Sequence, residues 1–243
     1  MSRLFEELDW QPTPIGAVSL RRRREPKLGV DVFEVRLGEA FLMSSLFTAS
    51  EEALARRALE RLPDRPLEVL VGGLGLGHTA AAVLADARVA GCTVVEFLAP
   101  VIAWHRAGLV PLGERLAADP RCRLVENDFF RLAASPDGFD PARPGRRFDA
   151  ILVDIDHSPD ALLDERSAAF YGTAGLSALA RHLVPGGVFG LWSDARPDEA
   201  FAARLAAVFG AARAEPVTFH NPLLDRPFTQ TVYIARTRDA GGR

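Results

Sequence analysis

The chain has 243 residues, 48% of them hydrophobic, and a formal net charge of −3. That size and apolar content suit one large α/β unit with a small appendage, and the charge balance excludes a molecule-wide attraction to nucleic acid. No apolar run reaches the ~18 residues of a membrane span, and MSRLFEELDW mixes charges with no apolar stretch such as a secretory signal carries, so a soluble cytoplasmic protein is expected. Lys27 is the one lysine among 29 basic residues, and the arginine richness reads as compositional bias. Cys92 and Cys122 each open a predicted strand. A reducing compartment predicts free thiols, with a cross-strand disulfide as the alternative.

The first ~48 residues are strand-like. AVSLRRRRE (17–25) and VDVFEVRLG (30–38) alternate around a PKLG turn, and AFLMSS (40–45) reads as a third strand. Arg21 to Arg24 cannot form one surface, because successive strand side chains face opposite ways; they read as the solvated charge of an edge strand. Thr48 and Glu51 have capping-box spacing at the start of a helix. The pattern then divides the chain into a β-strand module, 1–48, and a nucleoside-binding unit, 49–243.

From residue 67 strands and helices alternate. Strands are expected near 68–72, 92–96, 122–126, 148–154 and 187–192, with two antiparallel edge strands near 214–219 and 229–236. Helices are expected near 78–86, 98–107, 161–183 and 197–209. Continuous apolar strands such as AILVDI (150–155) suit a parallel sheet covered on both faces. The alternation predicts an α/β, doubly wound, mostly parallel seven-stranded sheet, with ligands outside the strands' carboxyl ends.

Those ends carry the polar residues. The first runs into VGGLGLGH, where Gly73, Gly75 and Gly77 let a ligand approach backbone N–H groups and a helix N-terminus. The second ends in Glu96, about 20 residues beyond the glycines, the spacing at which a carboxylate takes ribose hydroxyls. The third ends in Asn127-Asp128, where Asp128 can accept from an adenine amino group or cap the helix that FFRLAA begins. The fourth ends in Asp154. Phe97 and Phe129 can pack on purine faces or in the core. Asp154, Asp156 and His157 form a compact acid–base group in which the His157 imidazole can take a proton from an acceptor; alternatively Asp156 or Ser158 caps the next helix and His157 is a solvated loop residue. His78 follows the loop, His105 and His182 lie in helical patterns and read as partly exposed, and His220-Asn221 and the acidic WSDARPDE (192–199) can border an acceptor pocket. No zinc-spaced Cys/His cluster is present, nor a phosphate loop or nucleophile elbow, so no metal is expected.

The order of glycine loop, VVEF, ENDFF, FDAILVD and LVPGGVFGLW resembles the class I S-adenosylmethionine-dependent methyltransferase fold. Within it the chain is most similar to the spermidine synthase (polyamine aminopropyltransferase) branch. VLVGGLGLGHTAAAVL aligns without gaps to that branch's strand and GGGDGG loop, and LGEAFLMSS falls where the branch has its substrate gate. The resemblance implies that Glu96 binds ribose, that Asp128 binds adenine, that Asp154 lies beside the transferred group, and that the protein is a homodimer. Four polyamine positions differ: Leu76 replaces the loop aspartate, His157 the second acid of a DxxD pair, Glu51-Glu52 a Tyr-His pair, and Leu42 the gate glutamine. A carboxylate at 76 would repel the carboxylate of intact S-adenosylmethionine; leucine removes that discrimination. The sequence reading is therefore methyl transfer from S-adenosylmethionine to a small amine-bearing acceptor, with aminopropyl transfer from decarboxylated S-adenosylmethionine as the alternative. An NAD-dependent oxidoreductase, for which Gly75, Gly77 and Ala80 fit GxGxxA, and a non-catalytic nucleoside-binding protein stay open.

Overall fold

A computed structural model describes residues 5–239; residues 1–4 and 240–243, at the outer ends of the two expected units, lie outside it. The chain opens with four antiparallel strands in the order β1-β2-β3-β4, with β1 at Phe5–Thr13, β2 at Gly16–Glu25, β3 at Val30–Leu37 and β4 at Ala40–Ser44. β1 is an addition to the sequence reading. It turns neither side fully inward and carries Pro12, so it lacks the two-residue apolar alternation. Its presence moves β2 from the edge to the interior of the sheet. Arg21, Arg22, Arg23 and Arg24 there pair with Glu7, Glu6, Glu34 and Asp31 of the flanking strands.

Seven strands build the large sheet, in the order β10-β11-β9-β8-β5-β6-β7. β5 (Leu67–Gly72), β6 (Val89–Glu96), β7 (Cys122–Glu126), β8 (Phe148–Val153) and β9 (Leu183–Ser193) are parallel; β11 (Arg226–Arg236) and β10 (Ala211–Asn221) close one side antiparallel. Strict alternation divides the side chains between two cores. Val69, Val71, Ala150 and Leu152 face one, with helices α1 (Ala49–Leu59), α2 (His78–Leu84) and α3 (Ala99–Arg106). Leu70, Ile151, Val153 and Phe189 face the other, with α5 (Phe129–Ala134), α6 (Thr173–Ala180) and α7 (Glu199–Phe209). Val18, Leu20, Val35 and Leu37 of the small sheet join the first core. The doubly wound arrangement expected from the sequence is present. Among the described residues no helix is long and apolar enough to cross a membrane.

Several boundaries shift. β6, β9, β10 and β11 each begin three or more residues before the sequence reading. α4 (Gly113–Ala118) is a short helix absent from the sequence reading, whereas α5 is the helix that FFRLAA begins, with Asp128 as its cap. The helix expected over 161–183 is instead a 3-10 segment, Glu165–Tyr171, followed by α6. The cause is Asp156, whose carboxylate accepts from Leu163 N–H, Ser167 Oγ and Tyr171 Oη and winds that segment around itself. Thr48 and Glu51 do not form a capping box. The Thr48 hydroxyl donates to Glu52 at 2.9 Å, and Glu51 turns inward. His105 and His182 are buried rather than partly exposed, because each ring serves a backbone carbonyl, of Gly75 and Ala133 respectively. Cys92 and Cys122 are register partners on β6 and β7, and both thiols are free.

α1 crosses β9 where Gly190 stands; a Cβ there would sit 2.8 Å from Leu54 Cδ1. Leu54 is fully buried. Leu54→Ala is expected to lower unfolding free energy by about 2–5 kcal/mol through lost transfer energy and an unfilled cavity. Urea denaturation checks this, as a lower midpoint at unchanged slope.

Candidate functional site

The carboxyl ends of β5, β6 and β8 open into one cavity of about 480 Å³, a volume typical of small-molecule sites. β4 and the tip of the β10–β11 hairpin roof it with Phe41, Leu42, Met43, Phe219 and Phe228, and Phe47 of the β4–α1 link stacks on Phe219.

The glycine loop is shaped by its neighbours. Gly73 has φ +90°, and a Cβ there would overlap the carbonyl oxygen of Asp154, so the loop and the end of β8 touch backbone to backbone. A Cβ on Gly75 would strike Met43 Sδ of β4. Both glycines line the cavity. Gly77 does not; it packs against Leu116 and His105, which supports the loop from below by bonding Gly75 O at 2.9 Å. Glu96, 8% exposed, accepts Leu74 N–H and Leu98 N–H at 2.8 Å each, one on each carboxylate oxygen. Burial pushes its proton affinity up, and these backbone donors oppose the shift. The remaining lone pairs stay available to a ligand.

Phe97, Asp128, Asp154, Asp156 and His157 also line the cavity; Asn127 does not, because its side-chain oxygen turns back to Asp128 N–H and Arg131. Asp128 both lines the cavity and caps α5, accepting Arg131 N–H at 3.0 Å. Phe129 is 2% exposed and packs under Gly72 in a ring cluster with Phe139 and Phe170, so it serves mainly as core. Both oxygens of Asp156 are taken by the 163–171 segment, and the group is 3% exposed. Leu76 is fully buried and faces the core rather than the cavity, so the donor discrimination inferred for position 76 has no surface to act on. Asn221 and Asp194 line the cavity, whereas His220 lies outside it, 3.4 Å from Asp225.

Asp154 is oriented by Thr79, whose hydroxyl donates to Oδ2 at 2.7 Å. Burial raises Asp154 to about 6 despite that bond. Glu51, whose spacing suggested only a cap, projects into the same cavity at 5% exposure. Burial and then the charge of Asp154 raise it to about 7. Ser50, Trp192 and Gln230 surround its carboxyl, and no local sequence signal announces them: Ser50 meets Trp192 across 142 residues of chain and Gln230 across 180.

The raised Glu51 value has a stability consequence. Between its ordinary value of 4.5 and about 7 the folded chain holds a proton that the unfolded chain has lost. Stability conferred by the neutral form is complete below that window and is lost as pH rises through it, by up to about 1.4 kcal/mol per unit. His78, His105 and His182, lowered by burial, act in the opposite sense. The difference between wild type and Glu51→Gln isolates the carboxyl: the variant is expected to gain on wild type as denaturation is moved from about pH 5 to about pH 8.

No family model matches the sequence, and no curated protein matches it. Solved structures do. A spermidine synthase in complex with the transition-state analogue AdoDATO is 19% identical, with a TM-score of 0.72 over 96% of this chain and 74% of that one. Spermidine synthase from Thermotoga maritima is 18% identical, with a TM-score of 0.69 over 96% and 73%. A probable spermidine synthase from Corynebacterium glutamicum is 17% identical, with a TM-score of 0.64 over 95% and 79%. The chain has the spermidine synthase form of the class I methyltransferase-like fold, small N-terminal sheet included.

Proposed function

We propose that the protein is an aminopropyltransferase that moves the aminopropyl group of decarboxylated S-adenosylmethionine to a small amine. The observation that carries this reading is the charge of the cavity wall. Glu51, Glu96, Asp128, Asp154 and Asp194 line it, while its one arginine, Arg166, is engaged by Asp164 at 2.5 Å, and among the described residues no lysine lines it. The carboxylate of intact S-adenosylmethionine would face, among the described residues, a wall richer in acids than in bases, with its arginine already paired to Asp164. The ammonium of the decarboxylated donor and that of an amine acceptor both find carboxylates. With donor choice set by the wall rather than by the buried Leu76, aminopropyl transfer takes precedence over methyl transfer. The fold shared with structures named as spermidine synthases supports the same choice.

In this reading Glu96 and Asp128 hold the nucleoside, by ribose and adenine respectively, and Gly73 and Gly75 let the donor lie against the loop. The acceptor nitrogen displaces sulfur: a C–N bond forms, the C–S bond of the sulfonium breaks, and methylthioadenosine leaves. The protein contributes alignment and removal of one proton from the ammonium. Asp154 is the acceptor of that proton. Its raised value lies close to neutrality, where a carboxylate can take a proton and return it to water.

The test is release of methylthioadenosine from decarboxylated S-adenosylmethionine and of S-adenosylhomocysteine with methylated amine from intact S-adenosylmethionine, each with an amine panel. Turnover of the decarboxylated donor alone is expected; methylated amine from the intact donor would reverse the assignment. Asp154→Asn is expected to lower kcat/KM by about 10²–10⁴, with methylthioadenosine affinity held within a few-fold by calorimetry.

A further inference from the structure

Ser50 Oγ sits at the centre of three short contacts: 2.7 Å from Glu51 Oε2, 2.7 Å from Gln230 Oε1 and 2.8 Å from Trp192 Nε1. The protons for these contacts can be counted. An indole nitrogen only donates, so Trp192 gives its hydrogen to Ser50. Gln230 is oriented by its amide nitrogen, which donates to Asp194 Oδ1 at 3.0 Å and leaves the carbonyl towards Ser50. The serine hydroxyl has one hydrogen and two oxygens competing for it. If Glu51 is ionised, one 2.7 Å contact sets acceptor against acceptor. If Glu51 carries a proton on Oε2, it donates to Ser50, Ser50 donates to Gln230, and every contact becomes a hydrogen bond. Flipping Gln230 would turn its amide nitrogen to Ser50 and set its carbonyl 3.0 Å from Asp194 Oδ1, exchanging one pair of facing acceptors for another.

We propose that Glu51 is the second carboxyl of the amine site, protonated in the free protein and ionised when the ammonium group of the acceptor binds against it and Asp154. The amine function of the acceptor rests on the reading given under Proposed function; the proton on Glu51 does not. The exchange balances: an ammonium enters, Glu51 releases one proton to water, and the charge of the cavity is unchanged. Surrounding groups favour this arrangement. Asp154 faces Glu51 from the end of β8 and Glu52 follows it on α1, and both charges raise its proton affinity beyond what burial alone does. His78 on α2 is kept neutral by burial, with its Nε2 unpartnered. His157 lies beyond β8 and Asp194 at the end of β9, while Arg166 is held by Asp164. Among the described residues no arginine or lysine is paired with Glu51, so the acceptor's ammonium is the cation that would hold it ionised.

Two measurements test this, and they fail separately. The first needs no ligand: infrared difference spectroscopy between wild type and Glu51→Gln at about pH 6, below the raised Glu51 value. Glutamine is the shape of the neutral acid and can donate to Ser50 as the proton does, so the variant keeps the fold. A protonated-carboxyl band that disappears in the variant is expected; no such band in wild type overturns the proposal, whatever the enzyme transfers. The second is calorimetric titration of n-butylamine and of 1,4-diaminobutane into protein saturated with methylthioadenosine, in buffers of differing ionisation enthalpy. Release of about one proton per amine is expected in wild type and none in Glu51→Gln, with amine affinity in wild type falling about tenfold per pH unit below the Glu51 value. Amine binding without proton release overturns the exchange. If neither amine binds, the amine reading and the exchange fall together, while the infrared result still decides where the proton resides.

Discussion

The site depends first on a buried carboxylate that does no chemistry. Glu96 ends β6 and spends one oxygen on Leu74 N–H of the glycine loop and the other on Leu98 N–H ahead of α3. These two amides belong to segments that no backbone ladder can join, because the strands have ended. Without the carboxylate both would point into the crevice unpaired, at about 1–3 kcal/mol each. Burial pushes the proton affinity of Glu96 up, and the backbone donors it accepts from work against that shift. Gly73 and Gly75 can then lie close to the end of β8 and to Met43, and the cavity takes the shape of that contact.

A second tier of acids is treated differently. Asp154 has one side-chain hydroxyl as partner, and Glu51 shares one serine with Gln230 and Trp192. Burial raises both, and the charge of Asp154 adds to the cost of ionising Glu51. The same residue type thus takes two roles on one sheet edge, a fixed backbone anchor at Glu96 and groups able to exchange protons at Glu51 and Asp154. Burial raises all three; backbone amides oppose it at Glu96, whereas at Asp154 a single side-chain hydroxyl does so.

Much of this order is legible along the chain. The parallel strands declare themselves because AILVD and VLVG are buried on both faces, and the acids closing them stand out against those runs. Strand-end chemistry places Gly73, Glu96, Asp128 and Asp154 before any coordinates exist. Long-range contacts are not legible. Gln230 and Trp192 lie far along the chain from Glu51, and only the folded sheet brings their polar atoms to Ser50. The spacing of Thr48 and Glu51 satisfies a local rule, but burial in the cavity outweighs what a cap contributes. The helical pattern over 161–183 is likewise overridden by one side chain, Asp156, that satisfies three partners at once.

Leu76 shows why alignment with a loop motif does not transfer a role. It stands where the polyamine branch carries an acid, and a leucine there suggests a lost contact with the donor. The loop, however, turns Leu76 into the core and leaves the backbone of Gly73 and Gly75 and the side chain of Leu74 facing the cavity. An acidic group is nevertheless present at the site: Glu51, from a helix that the loop motif does not include, brings a carboxyl into the cavity. In the proposed reading, selection of a cationic donor and acceptor depends on the acids of the whole wall rather than on any single motif position.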